Sequence, residues 1–165
     1  MRRKEKIHIS REAIIQMVLS AIEVYPNECL GFLGKDKKTG VIDFVLPFQR
    51  VERSPTQVVF DTEVIKGLNI VVEHGGRKRI IGSFHSHCGE DASLSLSEAD
   101  RISLPQIGEY AIIVLIPRIH TKMKRLKNGS VSFSQRWRTW IGAWRFTPKG
   151  IKRVTINIVG DGRNN

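Results

Sequence analysis

The chain has 165 residues, of which 41% are hydrophobic and 26% charged, and this predicts one soluble globular domain over residues 1–165. No apolar run approaches the ~20 residues that a membrane span needs, and the basic N-terminus lacks the apolar stretch of a secretory signal. Two cysteines, Cys29 and Cys88, are too few for a disulfide scaffold, so we expect a reducing, cytoplasmic setting.

The net charge of +11 comes from the last part of the chain. Residues 1–117 carry equal numbers of acidic and basic side chains, whereas residues 118–165 carry twelve Lys or Arg and one acid, Asp161. This asymmetry favours either a basic surface that faces an acidic partner or polyanion, or a solvated face that keeps the protein soluble.

Apolar spacing divides the first 60 residues into one helix and four short strands. Ser10 is placed to cap the helix, and Pro26 ends it. A polar loop is predicted over residues 49–56. The predicted strands are 7–9, 28–34, 41–48 and 57–60.

Two further helices and several strands follow. Asp61 is placed to cap the second helix and Ser97 the third, which Pro105 limits to about two turns. The predicted strands are 79–87, 110–116, the two arms of a hairpin over 123–133 with a turn at Asn128-Gly129, 140–146 and 151–159. Residues 159–165 are predicted to be a flexible tail. This order predicts an α/β domain with a mixed β-sheet flanked by helices.

The polar end of the strand at 79–87 carries two histidines. Because successive side chains of a strand point to opposite faces, His85 and His87 are predicted to share one face. Two imidazoles on one face can bind one zinc ion at the usual Zn–N distance of about 2.0–2.1 Å. A His-x-His pair alone is more often structural or accidental, so the prediction of a metal site depends on further residues.

Three residues elsewhere in the chain could complete a hydrolytic site. Asp100, in the first turn of the third helix, could be the third ligand and leave one position of zinc open for water. Zinc lowers the pKa of water that it binds to about 7, and Glu28 could take the proton and pass it to a leaving amine. Ser97 could donate a hydrogen bond to the oxyanion of a tetrahedral intermediate. The alternatives are a solvated edge-strand carboxylate at Glu28 and a simple helix cap at Ser97 and Asp100.

The order and separation of these residues resemble those of the JAMM (MPN-plus) metalloprotease family. The similarity covers roughly residues 5–135 and rests on three blocks, ECLGFLG from Glu28, HSH from His85 and SEAD from Ser97. The resemblance implies a cytidine-deaminase-like JAMM/MPN fold and a role like that of the prokaryotic deubiquitinases.

The same resemblance implies a set of roles for the site residues. His85, His87 and Asp100 would hold one Zn²⁺ ion. Glu28 would act as general base and acid, and Ser97 would stabilise the oxyanion. The implied reaction is hydrolysis of the isopeptide or peptide bond at the C-terminus of ubiquitin, or of a ubiquitin-like or sulfur-carrier protein.

The chain departs from the family pattern at two places. The family usually has Pro after the second histidine, whereas this chain has Cys88, which could be an alternative ligand, an oxidation-sensitive thiol or a small loop residue. The family commonly has seven residues between the second histidine and the serine, which here leads to Ser95, with Glu98 as the acid. We prefer Ser97 with Asp100 because a good helical start follows Ser97 and because the family's acid is Asp; Ser95 with Glu98 is the alternative.

Three functions are compatible with the sequence. The first is a zinc isopeptidase that binds an extended substrate tail between the loops at 49–57 and 88–96. The second is a non-catalytic scaffold with the same fold, which would hold no stoichiometric zinc. The third is a nucleic-acid-associated protein that uses the charge and the tryptophans of the basic C-terminal third. The residues that suggest it are Trp137, Trp140, Trp144, Arg136, Arg138 and Arg145, although Trp140 and Trp144 are first candidates for the core.

Overall fold

The computed structural model describes residues 5–48, 52–56, 58–59, 61–117, 119–125, 131–137 and 139–160. The helices are α1 (Arg11–Val24), α2 (Thr62–His74) and α3 (Glu98–Ser103), and a 3₁₀ turn over Leu104–Gln106 follows α3. The strands are β1 (Lys6–Ser10), β2 (Leu30–Asp36), β3 (Ile42–Pro47), β4 (Glu52–Arg53), β5 (Val58–Val59), β6 (Lys78–Cys88), β7 (Tyr110–Ile116), β8 (Ile119–Arg125), β9 (Val131–Trp137), β10 (Trp140–Thr147) and β11 (Gly150–Val159). No helix within these ranges is long and apolar enough to cross a bilayer.

Seven strands form a closed barrel in the order β1-β11-β10-β7-β6-β2-β3. The sheet is mixed, as predicted: β6 pairs parallel with β7, and β1 pairs parallel with β11 and β3. The pairs β2–β3, β2–β6, β7–β10 and β10–β11 are antiparallel. The mixed sheet flanked by helices that was predicted is closed into a barrel, which the prediction did not include: β1 pairs along its length with β11 and bridges to β3 through Ile9 and Ile42. Closure removes both exposed edges, and the apolar pattern of a strand does not reveal which distant strand it will pair with.

Local irregularities bend and tighten the sheet around β6. The register of β2 shifts between Leu33 and Gly34 where it pairs with β6, and such a bulge increases the local bend. At Gly82 a Cβ atom would lie 1.8 Å from the carbonyl oxygen of Tyr110. Only glycine therefore allows β6 and β7 to approach this closely, and the two strands then run side by side to the histidines.

Helices cover the sheet on two sides, in keeping with the predicted flanking helices. Ser10 caps α1 by accepting a hydrogen bond from the backbone N of Ala13 at 3.1 Å, and α1 buries Ala13, Met17 and Ala21 as its apolar spacing predicts. α1 belongs to the first core cluster, together with Ile81, Phe84 and Val114 among others. α2 and the segment after α3 contribute to a second cluster, which consists of Leu30, Phe32, Phe48, Ile65, Ile80, Leu96, Leu104, Ile107, Ala111 and Ile113.

The remaining elements differ from the predictions mainly at their ends. The strand predicted at 57–60 is the short β5, which pairs with β4 inside the predicted loop 49–56; residues 49–51, 57 and 60 lie outside the described part. The hairpin predicted at 123–133 is the longer β8–β9 ribbon, which forms a sheet of its own. Its predicted turn at Asn128-Gly129 lies outside the described residues. Val159 ends β11 rather than starting a tail, and residues 161–165 are not described.

Candidate metal centre

The two histidines of β6 come together on one face of the strand, as predicted. Their Nε2 atoms lie 3.0 Å apart. β6 lies between β2 and β7 in the barrel. His85 pairs in register with Leu30 of β2 and with Ile113 of β7. The side chain of His85 is 2% exposed and that of His87 is 13% exposed, so two neighbouring strands hold the imidazoles at the lip of a cavity.

Asp100 reaches both imidazoles from the first turn of α3. Its Oδ1 lies 3.2 Å from Nε2 of His85, and its Oδ2 lies 3.4 Å from Nε2 of His87. A reciprocal capping box fixes the carboxylate: the backbone N of Ser97 donates to Asp100 Oδ2 at 2.8 Å, and the backbone N of Asp100 donates to Ser97 Oγ at 3.1 Å. The same hydrogen bonds thus start the helix and orient the acid.

The spacing of the three donor atoms fits a zinc ion. His85, His87 and Asp100 each offer a ligand atom, and these atoms lie within 4.8 Å of one another. Tetrahedral zinc with bonds of about 2.0–2.1 Å places its ligand atoms about 3.3 Å apart. The observed separations of 3.0, 3.2 and 3.4 Å bracket that value, and two imidazoles with one carboxylate form a donor set that zinc accepts.

His87 is oriented by a backbone carbonyl. Its Nδ1 lies 2.6 Å from the carbonyl oxygen of Ser93. Because a carbonyl only accepts, Nδ1 carries the hydrogen, and Nε2 is the atom that faces His85 and Asp100. Burial lowers the pKa of His87, but hydrogen bonds to Asp100 and Ser93 and the charge of Glu28 outweigh it and raise this pKa in the metal-free protein. The raised pKa favours a second proton on Nε2, and a metal ion would compete with that Nε2 proton.

Glu28 approaches the same cavity from the segment before β2. The predicted strand 28–34 begins only at Leu30, because the backbone N of Glu28 donates to the carbonyl of Ser54 at 2.9 Å instead of joining the ladder. Glu28 is 8% exposed, so it is not a solvated edge carboxylate. Burial raises its pKa to about 7, with the charge of His87 acting against this shift and that of Asp100 adding to it.

The contacts favour Asp100 over Glu98 as the acid beside the histidines. Glu98 is exposed in the first turn of α3, and the metal-ligating group found among the described residues does not include it. Ser95 lines the cavity, but its backbone N donates to Ser93 Oγ at 3.2 Å and not to an acid beside the histidines. The backbone N of Ser97 donates to the carboxylate of Asp100, and the Ser97 hydroxyl accepts from the backbone N of Asp100.

Ser86 connects the two sides of the cavity, which sequence reasoning missed. Its Oγ accepts from the backbone N of Cys29 at 2.8 Å, and its backbone N donates to the carbonyl of Cys29 at 3.1 Å. These bonds tie the segment that carries Glu28 to the strand that carries the histidines. Strand alternation could have indicated them, since Ser86 lies on the opposite face from its two histidine neighbours.

Cys88 lines the cavity without joining the histidine cluster. Its Sγ lies 3.4 Å from the carbonyl oxygen of Asn27 and 3.7 Å from Ser86 Oγ. Burial raises the pKa of this thiol, and zinc is bound by the thiolate rather than by the thiol. The contacts therefore favour a loop residue over an alternative ligand.

An open cavity of about 1030 Å³ surrounds these groups. Both loops that were predicted to form its walls contribute: Pro55 and Thr56 on one side, and residues 88–93 on the other. Its lining also includes Glu28 and Ser97. The cavity is large enough to admit an extended peptide segment.

Comparisons with known proteins identify the fold. No protein-family model matches the chain, and no curated protein matches it. A Desulfitobacterium hafniense protein of known solution structure aligns with a TM-score of 0.60 and 18% identity over 94% of each chain. A JAB1/MPN domain protein from Archaeoglobus fulgidus aligns with a TM-score of 0.55 and 20% identity over 93% of this chain and 99% of its own.

A third solved structure is described as a JAMM metalloprotease-like zinc site in the proteasome and signalosome. It aligns with a TM-score of 0.51 and 19% identity over 93% of this chain and 97% of its own. At these identities the similarity is one of fold. The chain therefore has the MPN/JAMM fold, as the sequence resemblance implied.

Proposed function

We propose that this chain is a zinc-dependent metallopeptidase that hydrolyses the isopeptide or peptide bond at the C-terminus of ubiquitin, or of a ubiquitin-like or sulfur-carrier protein. The observation that carries the proposal is the convergence of the two imidazoles and Asp100 at zinc-ligand spacing beside a buried carboxyl group, Glu28. The fold supports it, because one structural neighbour is described as a metalloprotease-like zinc site.

His85, His87 and Asp100 would hold the ion. When bound, zinc would supply Lewis-acid polarisation of the substrate carbonyl and acidify water at neutral pH. The protein's contribution is a rigid donor set. The neighbouring strands β2 and β7 hold the strand that carries both imidazoles, and the capping box fixes the carboxylate of Asp100.

Glu28 is suited to move a proton between water and a leaving amine. A general acid–base group works best when its pKa lies near the operating pH, and burial raises the pKa of Glu28 to about 7 in the metal-free protein. The bond from its backbone to Ser54 and the link between Cys29 and Ser86 hold the segment in place.

Ser97 is suited to stabilise an oxyanion. Its Oγ accepts a hydrogen bond from the backbone of Asp100, which leaves the hydroxyl hydrogen available for donation into the cavity that Ser97 lines. An extended C-terminal tail would lie between Pro55–Thr56 and residues 88–93 and bring its last carbonyl to the site.

The test is cleavage of a ubiquitin-like domain that is fused through its C-terminal tail to a reporter protein. We expect stoichiometric zinc, cleavage that stops with a chelator and returns with zinc, and a loss of about 10²–10⁴-fold in Glu28→Gln. The exposed acid gives a matched control, since Glu98→Gln should cleave normally. Cleavage that survives both the chelator and Glu28→Gln contradicts the mechanism, and zinc-free protein without cleavage would favour a scaffold.

The acidic partner predicted for the basic region 118–165 remains a prediction. In its described part, Arg145 is paired with Glu5 at 2.6 Å and with Glu109 at 3.0 Å. Trp144 packs against the second core cluster, as predicted, whereas the prediction of a core position for Trp140 is wrong, because that residue is 46% exposed. The side chains of Arg136 and Trp137 and all of Arg138 lie outside the described part. These contacts favour structural roles for Arg145 and Trp144 over nucleic-acid binding.

A further inference from the structure

Three buried side-chain atoms among the described residues have no hydrogen-bond partner: Asn69 Oδ1, Ser83 Oγ and His85 Nδ1. Buried polar atoms normally bond to the protein or to an internal water. One of these atoms belongs to the imidazole of the candidate metal centre, whose other nitrogen faces Asp100. The three atoms also come from elements that meet at one apolar cluster.

Ser83 and His85 lie on the same face of β6. They are two residues apart, which corresponds to about 6.6 Å along a strand, and a water that accepts or donates at about 2.8 Å on each side can span such a pair. The side chains beside them on β2 and β7 offer no polar atom. These neighbours are Leu30 and Ile113 next to His85, and Phe32 and Ala111 next to Ser83.

Asn69 belongs to the helix that covers this face. α2 packs on β6, and Asn69 lies four residues after Ile65, which is a member of the second core cluster, and three residues before Val72, which packs against it. Leu30, Phe32, Ala111 and Ile113, the strand neighbours of Ser83 and His85, belong to the same cluster. The amide oxygen of Asn69 is buried on the side of α2 that packs against this cluster.

We propose that one internal water joins Asn69, Ser83 and His85 and fixes the His85 ring with Nε2 directed at the metal. With Nδ1 as the donor, the water accepts one hydrogen bond from His85 and donates one each to Asn69 Oδ1 and Ser83 Oγ. Three bonds are typical of a buried water, and every orphaned atom is then satisfied. Ser83 and Asn69 are thus positioning residues for the metal centre, and this role rests on the proposed function.

The inference gives both histidines the same kind of support. His87 donates from Nδ1 to the carbonyl of Ser93, and a metal-ligating histidine almost always has such a partner for its second nitrogen. Among the described residues, no protein group bonds to Nδ1 of His85, and the strands that flank it on both sides present apolar side chains. The water would accept the hydrogen bond from Nδ1 of His85, as the Ser93 carbonyl accepts the one from Nδ1 of His87.

The first test is zinc affinity, measured by competition with a chromophoric chelator. We expect Ser83→Ala to bind zinc about 10–100-fold more weakly than the wild type, the usual effect of losing an outer-sphere partner. Ile81→Val is the matched control: Ile81 is buried on the same strand but in the first core cluster, so its affinity should be unchanged. Equal affinity in Ser83→Ala and wild type overturns the proposal.

The second test uses the melting temperature of the metal-free protein and does not depend on zinc or on activity. If one water links the residues, Ser83→Ala and Asn69→Ala each lower the melting temperature, and the double variant melts close to the less stable single variant. If Ser83 Oγ is an isolated buried hydroxyl, its removal raises the melting temperature. A rise, or additive losses, overturns the water bridge. A wild type that binds no zinc but shows the non-additive losses instead contradicts the proposed function alone.

Discussion

Glu28 and Asp100 are carboxyl groups in one cavity whose pKa values move in opposite directions. Burial tends to raise the pKa of both. At Asp100 this tendency is outweighed by hydrogen bonds with His85, His87 and Ser97, which hold the pKa well below its usual range. The described residues give the Glu28 side chain no such bonds, so burial dominates and raises its pKa to about 7.

The difference suits Asp100 to the ligand role proposed for it and Glu28 to the proposed role of proton carrier. A carboxylate that stays ionised at every working pH and lies against two imidazoles can bind a cation without first losing a proton. A carboxyl group that titrates near neutrality can accept a proton and return it. Two acids on different elements therefore acquire different chemistry from their surroundings, and each variant below tests one side of this contrast.

The largest effect is expected from Asp100→Asn. The amide keeps the shape of the side chain and part of the capping box but loses the charge between the two imidazoles. We expect zinc affinity to fall by at least about 100-fold, and cleavage to fall with it, as measured by chelator competition and by the fusion assay.

Glu98→Gln is the control for Asp100→Asn, because the two acids lie in the same turn and Glu98 is exposed. It should bind zinc as the wild type does. The opposite pattern, with weak binding in Glu98→Gln and normal binding in Asp100→Asn, would restore Ser95 with Glu98 as the site pair and would contradict the contrast between Glu28 and Asp100.

The sequence predicted the contacts that depend on local geometry. Strand alternation was enough to put His85 and His87 on one face, and a helix that begins at Ser97 puts Asp100 three residues into its first turn. Glu28 was only one candidate acid among the residues, and the resemblance implied its role, because no local pattern connects it to the histidines: their meeting requires Leu30 of β2 and His85 of β6 to pair across more than fifty residues of chain.

What the sequence could not provide depends on long-range pairing. Closure of the barrel needs β1 to meet both β3 and β11, and the apolar spacing of Ile7 and Ile9 is the same in an open sheet. The raised pKa of Glu28 also follows from packing, since an acid at the start of an apolar strand has the same sequence whether it is buried or exposed.

The next effect concerns the stability of metal-free Glu28→Gln. The pKa of Glu28 rises from an unfolded value near 4.5 to about 7 on folding. Ionisation of the buried group thus costs stability, fully above pH 7 and not at all below about pH 4. We expect Glu28→Gln to be more stable than wild type by roughly 1–3 kcal/mol at pH 8, although the proposed function predicts that its cleavage activity is lost.

The measurement is the free energy of unfolding in urea between pH 4 and pH 8, with zinc removed from both proteins. The difference between the variant and the wild type should be near zero at pH 4 and grow as the pH rises through the pKa of Glu28. A difference that does not change with pH would mean that Glu28 has an ordinary pKa, and the contrast with Asp100 would disappear.

Asp36 sharpens the contrast because it resembles Asp100 in its pKa but lies in a turn. It is 2% exposed at the end of β2, and its Oδ1 accepts from the backbone N of Thr39 at 2.8 Å and of Lys38 at 2.9 Å. The bond from Thr39 makes the largest contribution to a pKa that is lowered to about 2, and the bond from Lys38 and the charges of Arg77 and Lys78 add to it. A low pKa is thus also produced by a purely structural turn.

The smallest expected effect is therefore the acid sensitivity that Asp36 confers. Its pKa is about 2 in the folded protein and about 3.9 when unfolded, so its ionised form stabilises the fold above pH 4, and this contribution is lost as the pH falls towards 2. Asp36→Asn should melt below the wild type at pH 7, and the two melting curves should converge at pH 2. Zinc affinity at pH 7 should stay unchanged in this variant, because Asp36 shares the low pKa of Asp100 but has no contact with the histidines.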